Sequence, residues 1–298
     1  MILLLFCFLL CFPKLSLEAS KRGLLLWFDT LLPTLLPFLV LSQLVLKTPC
    51  ILLVEKVFGG IFQKVFHCSK TGAFCAICGF LCGYPVGARL IALQIKEQSL
   101  SIEEGQYLLS FCNNVSPMFG ISYGILYGIG SPKTIPYLLI LYGSALLFGL
   151  FTRPGQITGN MEATKKQTPS TEPVFRLIDV CIIDSFLILI KLCGYLILFS
   201  MITQGLLTLI GTGHLYLRTG LAALLEITNG LSYLSGLPHG TLRSAIGIAA
   251  LSFGGLCCFF QTSSVLSDTP LSLKQYFFDK GRITLIALTL FFCFRFLL

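Results

Sequence analysis

Long apolar runs order this chain, and two of them are broken near their middle by glycine and strong polar residues. The first broken run is CGFLCGYPVGARL (78–90), followed by SFCNNVSPMFGISYG (110–124). The second is LAALLEITNG (221–230), followed by SFGGLCCFFQTSS (252–264). Tyr84 and Glu226, each at the breaking point of its run, stand 142 positions apart, as do the pairs Ser110-Phe111 and Ser252-Phe253. Interrupted hydrophobic segments at matching places in two halves point to a transporter's binding site. Unwound backbone survives at membrane depth only where protein or a water-filled cavity satisfies it.

The rest of the pattern predicts helices. A short apolar helix covers 2–12 and ends near Pro13; lacking a basic flank and a small-residue cleavage site, it reads as a membrane helix rather than a signal peptide. A span over 23–46 contains Pro33 and Pro37. Residues 50–66, apolar with Lys56 and Lys64, read as an amphipathic segment that spans the bilayer or lies along it. The first broken element covers about 71–95, a broken span 107–127, and a further helix 135–151. The stretch 153–173, rich in Pro, Gly, Thr and Lys, has no apolar period and reads as an exposed linker. Its flanking and internal basic residues, Arg153, Lys165, Lys166 and Arg176, favour the cytoplasmic side. After it, the run 177–210 is too long for one span, which predicts an interfacial first part and then a membrane helix. A second broken element (217–235), a span (244–266) and a last helix from Ile283 complete the chain. Each half thus runs helix, broken hairpin, broken helix, helix: a first repeat with the N-terminal helix (1–152), the linker (153–173) and a second repeat (174–298).

Composition settles the class. Charged residues are 11% of the chain against about 25% in soluble domains, and mean hydropathy is +0.87. The fold class is all-α, polytopic and membrane-embedded, with the lipid bilayer as its first partner. The formal charge of +8 is no nucleic-acid signal: the basic residues, among them Lys21, Arg22, Lys70, Lys280 and Arg282, are scattered as short basic loops would scatter them. Most of the thirteen cysteines lie in apolar runs, where cysteine acts as a small hydrophobe. Cys75, Cys78 and Cys82 share one helical stripe, a soft-metal arrangement or, with no histidine in the run, simply small residues for close packing.

The candidate chemistry sits at the breaks. Glu226 stands amid LAALLEIT, and a carboxylate at membrane depth costs about 2.5–3.5 kcal/mol. It reads as a cation, proton or ligand site, or else as a hairpin-arm glutamate that reaches water. Asn113, Asn114 and Ser116-Pro117 offer amides and a carbonyl freed by proline, for a ligand or for interhelical bonds. Gly83, Tyr84, Pro85 and Gly87 read as a re-entrant tip, with a half-helix after it whose N-terminus presents a positive dipole end. Arg89 either pairs an anion or snorkels to the interface. Thr228, Asn229 and Gln261 complete the set. There is no phosphate-binding GxxxxGK[ST] loop, GxSxG elbow or HExxH helix, so neither an enzyme nor a bound cofactor is expected.

Together GYPVGARL, LSIEEGQYLLSFCNNVSPMF, LLEITNG and FGGLCCFFQTSS, in that order, resemble the Gate-domain (nucleoside-recognition) membrane protein family, and its sporulation members in particular. That resemblance implies a fold related to concentrative nucleoside transporters. It places Gly83, Tyr84, Pro85 and Gly87 on a first hairpin, and Asn113, Asn114, Ser116 and Pro117 on a first broken helix. Glu226, Thr228, Asn229 and Gly230 fall on a second hairpin and Gln261 on a second broken helix. It also implies a bacterial membrane protein that moves dipicolinic acid across the outer forespore membrane. The alternatives are carriage of a nucleoside or other small metabolite, and a non-transporting sporulation scaffold. A small organic anion is the expected substrate; a coupling proton or cation and a homo-oligomeric state are left open.

Overall fold

The computed structural model describes residues 2–50, 53, 55–154, 173–211 and 213–297, and among these it contains helices and no strand. The linker expected over 153–173 lies outside the described residues apart from its two ends. Among the described residues, four helical stretches are long and apolar enough to cross a membrane: Pro13–Val45, Thr134–Phe151, Phe175–Ile210 and Thr241–Leu266. Gly60–Phe66 and Lys70–Cys82 make a fifth if that pair, bent by 98°, counts as one span. Large apolar side chains face outward along these elements, among them Leu139, Phe151, Phe175, Leu209 and Leu285. In water such a surface would drive association; in a bilayer it meets lipid.

The breaks fall where the sequence pattern predicts them. The first hairpin is Lys70–Cys82 and Val86–Lys96, the second Leu215–Leu225 and Ile227–Ser235. The first broken helix is Ile102–Cys112, then Pro117–Phe119 running on as the π-helical Gly120–Ile129; the second is Thr241–Phe253 and Gly255–Leu266. Local chemistry explains each boundary. Ser69, Ser101, Ser116 and Ser272 cap the helices that follow them, each hydroxyl accepting from a backbone N–H in the first turn. Gly83, at φ 74° and ψ −172°, ends the first arm in a conformation open essentially to glycine alone.

Two expectations need correction. Residues 174–210 form one uninterrupted helix of 37 residues rather than an interfacial piece followed by a span. No glycine C-cap or proline divides it, and at about 1.5 Å per residue it runs well past a hydrocarbon core of about 30 Å. The last helix starts at Leu273, capped by Ser272, not at Ile283. Asp279 and Lys280 therefore lie inside it and are buried, so Lys280 is not one of the basic loop residues.

Packing brings the broken elements together. The long helix 13–47 lies against Val174–Ile210, where Gly23 lets the two backbones approach beside Ser200 and Ile197. The second arm of the first hairpin packs on Gly255–Leu266, and the second arm of the second hairpin on Gly120–Ile129. The hairpins thus cross over, each touching the broken helix of the other half.

Candidate functional site

The second hairpin turns at Glu226, which is 2% exposed and caps its second arm. Its Oε1 accepts from Thr228 N at 2.9 Å and Thr228 Oγ1 at 2.7 Å, and its Oε2 from Asn229 N at 2.6 Å. Three donors and the positive end of a half-helix thus offset the cost of burying the carboxylate. Asn229 Nδ2 donates to Ser200 Oγ at 2.7 Å, fastening this turn to the long helix. Gly255 beside Ala223, Leu224 and Ile227 brings the second helix break against the same turn.

The first hairpin tip rests on the other break. Tyr84 N donates to the Asn114 carbonyl at 2.8 Å, and Tyr142 Oη donates to the Val115 carbonyl at 3.0 Å. Two carbonyls of the unwound backbone at 113–116 are therefore met by protein donors, as membrane depth favours. Gly83 fits because any side chain there would strike Ser116 N, and Gly87 lies between Gly79 and Asn113. Asn113 Nδ2 donates to Thr262 Oγ1 at 3.2 Å and Tyr276 Oη at 2.9 Å, tying the first break to the second broken helix and the last helix. Asn114 Nδ2 donates to the Phe111 carbonyl at 2.6 Å, while its Oδ1 accepts from Lys280 Nζ at 2.8 Å.

All four broken elements meet at one cavity of about 40 Å³. Its polar lining is Tyr84, Ser116, Glu226, Thr228, Cys258 and Gln261; its apolar wall includes Leu31, Leu35, Leu192 and Leu196 of the long helices. The half-helices beginning after Ser116 and at Ile227 start at this cavity, so two positive dipole ends converge on it. Among the described residues, three buried polar atoms in this region lack a well-formed hydrogen bond: Tyr84 Oη, which has only the Cys258 thiol beside it, Asn113 Oδ1 and Gln261 Oε1. Unmet polar atoms around a small cavity are the usual seat of ordered water or a ligand.

Of the residues singled out from sequence, Tyr84, Ser116, Glu226, Thr228 and Gln261 face the cavity. Gly83, Pro85, Gly87, Asn113, Asn114 and Asn229 are buried around it, and Arg89 is half-buried on the first hairpin outside the cavity lining. Residues not singled out are Lys280, Tyr276 and Cys258, with the leucines of the long helices. Lys280 carried a signal: a charge pair, Asp279-Lys280, followed closely by the apolar run ITLIAL. The leucines carried none, since one leucine in an apolar run looks like the next.

No family model matches the chain, and no solved structure matches it. Over 302 aligned positions it is 27% identical to the sporulation integral membrane protein YlbJ of Bacillus subtilis (strain 168), covering 89% of this chain and 74% of that protein. The chain is similar to a sporulation membrane protein. The likeness to YlbJ runs over most of the chain rather than one motif, and it agrees with the lipid-facing apolar surface. This is an integral membrane protein with a YlbJ-like sequence.

Proposed function

We propose that this chain is a carrier or gate for a small organic anion, with dipicolinate the first candidate, acting in the outer forespore membrane of sporulating cells. One observation carries the reading: two broken hairpins and two broken helices, from the two halves of the chain, meet at one partly polar cavity. Breaking a membrane helix sacrifices backbone bonds, and doing so four times around one point serves a site rather than stability. In this reading the halves are structural repeats of the Gate-domain kind, related to concentrative nucleoside transporters, and the protein is not an enzyme. At about 40 Å³ the cavity has room for a few waters and none for a planar aromatic dicarboxylate, so in this reading the form is closed and the substrate enters only after the hairpin tips separate.

Glu226 supplies the coupling step. Its carboxylate would repel an incoming dianion, so loading it with a proton or cation goes with cargo binding, and flux changes with pH. The test is uptake of labelled dipicolinate into proteoliposomes by wild type and Glu226→Gln. Saturable wild-type flux that the variant loses, with the variant still folded, is the expected result. Absence of flux above empty liposomes, or flux of a nucleoside in preference, refutes the anion reading. Wild-type flux that stays flat with pH removes the coupling role of Glu226.

A further inference from the structure

Most charges buried in this bundle are answered by the protein. Glu226 has its three donors. Asp279 accepts from Ser110 Oγ at 2.6 Å and from Arg282 at 3.0 Å. The Arg243 guanidinium is spent on the carbonyls of Gly128 and Leu237. Lys280 is different. It is 2% exposed, its ammonium donates one hydrogen bond, to Asn114 Oδ1, and among the described residues no carboxylate comes within ion-pair distance. Two of its three protons find no acceptor there. Removing a charge from water without a counter-charge is strongly unfavourable, and at membrane depth such a group marks a functional site by default.

The surroundings of Lys280 say what would answer it. Its nitrogen stands 5.8 Å from the centroid of the Tyr84 ring, and Tyr84 also lines the cavity that holds Glu226. Tyr84 is therefore the side chain that the cavity and the ammonium share. Its hydroxyl lies against the Cys258 thiol and the bare backbone of Gly254, and finds no stronger hydrogen-bond partner among the described residues, so only weak contacts and packing keep it in place. Cys258, on the cavity wall, lies near enough to feel both Glu226 and Lys280. The other groups facing Lys280 are neutral: Asn114, Tyr84 and Cys112. Its chain neighbour Asp279 is already engaged.

We propose that Lys280 is the specificity-determining residue for a carboxylate ligand. When the Tyr84 side chain moves aside, the cavity and the ammonium become one compartment, and a ligand carboxylate takes the two unspent Nζ protons. Until Glu226 is loaded with its proton or cation, a carboxylate is repelled from its side and drawn to the lysine, which sets the orientation of approach. The proposal rests on the cavity being the substrate site, and it names the charged group by which that site recognises an anion.

The experiment measures thermal unfolding in nanodiscs of wild type, Lys280→Met and Lys280→Arg against increasing dipicolinate, with the neutral pyridine-2,6-dicarboxamide as control. Methionine matches the stem and removes a buried charge, which leaves the bundle folded; arginine keeps the charge. The expected result is a dipicolinate-dependent upward shift in wild type, whose apparent dissociation constant rises at least about thirtyfold in Lys280→Met. Lys280→Arg partly restores it, and the diamide produces no such shift in any of them. Equal responses of wild type and Lys280→Met, no response in wild type, or an equal response to the diamide overturns the proposal. Binding with this pattern but without liposome flux refutes transport and leaves the role of Lys280 standing.

Discussion

At the residue scale, Glu226 and the glycines of the breaks do different work. Glu226 is both a cap and a charge, and the two roles separate by substitution. Glu226→Ala removes the acceptor for three donors and is expected to destabilise the protein by about 2 kcal/mol or more in reversible unfolding in detergent. Glu226→Gln keeps one acceptor oxygen and is expected to cost less, while the proposed flux should be lost. Gly83 and Gly254 both have positive φ, 74° and 88°, but their neighbours differ. A Cβ at Gly83 would lie 2.5 Å from Ser116 N, which is backbone and cannot yield; at Gly254 it would lie 2.7 Å from Tyr84 Oη, the end of a side chain. Gly83→Ala should therefore lower the unfolding midpoint more than Gly254→Ala, and the reverse order would mean that the hairpin tip is softer than its packing implies. These breaks were legible in sequence because glycine, proline and a lone carboxylate are conspicuous in apolar runs. Which polar atoms they engage was not legible, since Asn113 meets Thr262 and Tyr276 only through folding.

Helix ends decide the behaviour of the elements. Arg243 at the start of the second broken helix holds the Gly128 carbonyl with Nε at 3.1 Å and Nη2 at 2.9 Å, and the Leu237 carbonyl with Nη1 at 2.7 Å. One planar fork thus closes the end of Gly120–Ile129 and the loop after the second hairpin. Arg243→Ala is expected to cost about 3 kcal/mol, because bonds to a charged donor are worth about 1.5–3 kcal/mol each and the carbonyls stay buried. Arg243→Lys should recover little of it, as an ammonium cannot reproduce the fork; full recovery in detergent unfolding would contradict this geometry. The last helix makes a related point. Its apolar run suggests a start near Ile283, but the Ser272 cap and burial against the first broken helix extend it back to Leu273. Charges read as a loop become interior once the helix register turns them inward.

For the whole molecule, the two halves are also bridged at an exposed rim, where Lys96 Nζ meets Asp268 at 2.8 Å. Lys96 holds the Asp268 carboxyl below the usual carboxylate range. Because the folded carboxyl is the stronger acid, the bridge stabilises above the ordinary aspartate pKa and fades as pH falls through the depressed folded value. Both partners are solvated, so the effect is small and screened by salt. Lys96→Ala should lower the unfolding midpoint slightly at neutral pH and low salt, with the difference from wild type vanishing in acid. A difference that persists in acid would show that Lys96 acts through packing of its stem instead.

By itself the sequence determined the membrane class, the two broken pairs and most of the polar residues at the breaks. Each of those follows from composition or from the spacing of breakers, which are local properties of the chain. Only the tertiary structure decided that the four breaks share one cavity, that the leucines of the long helices wall it, and that Lys280 lies buried against Tyr84. The physical reason is that hydrophobic periodicity tells a helix which residues to bury without naming the partner. In an apolar chain nearly every face qualifies, so the crossing of hairpins between halves is chosen by close packing at glycines and by the hydrogen bonds that unwound backbone must find.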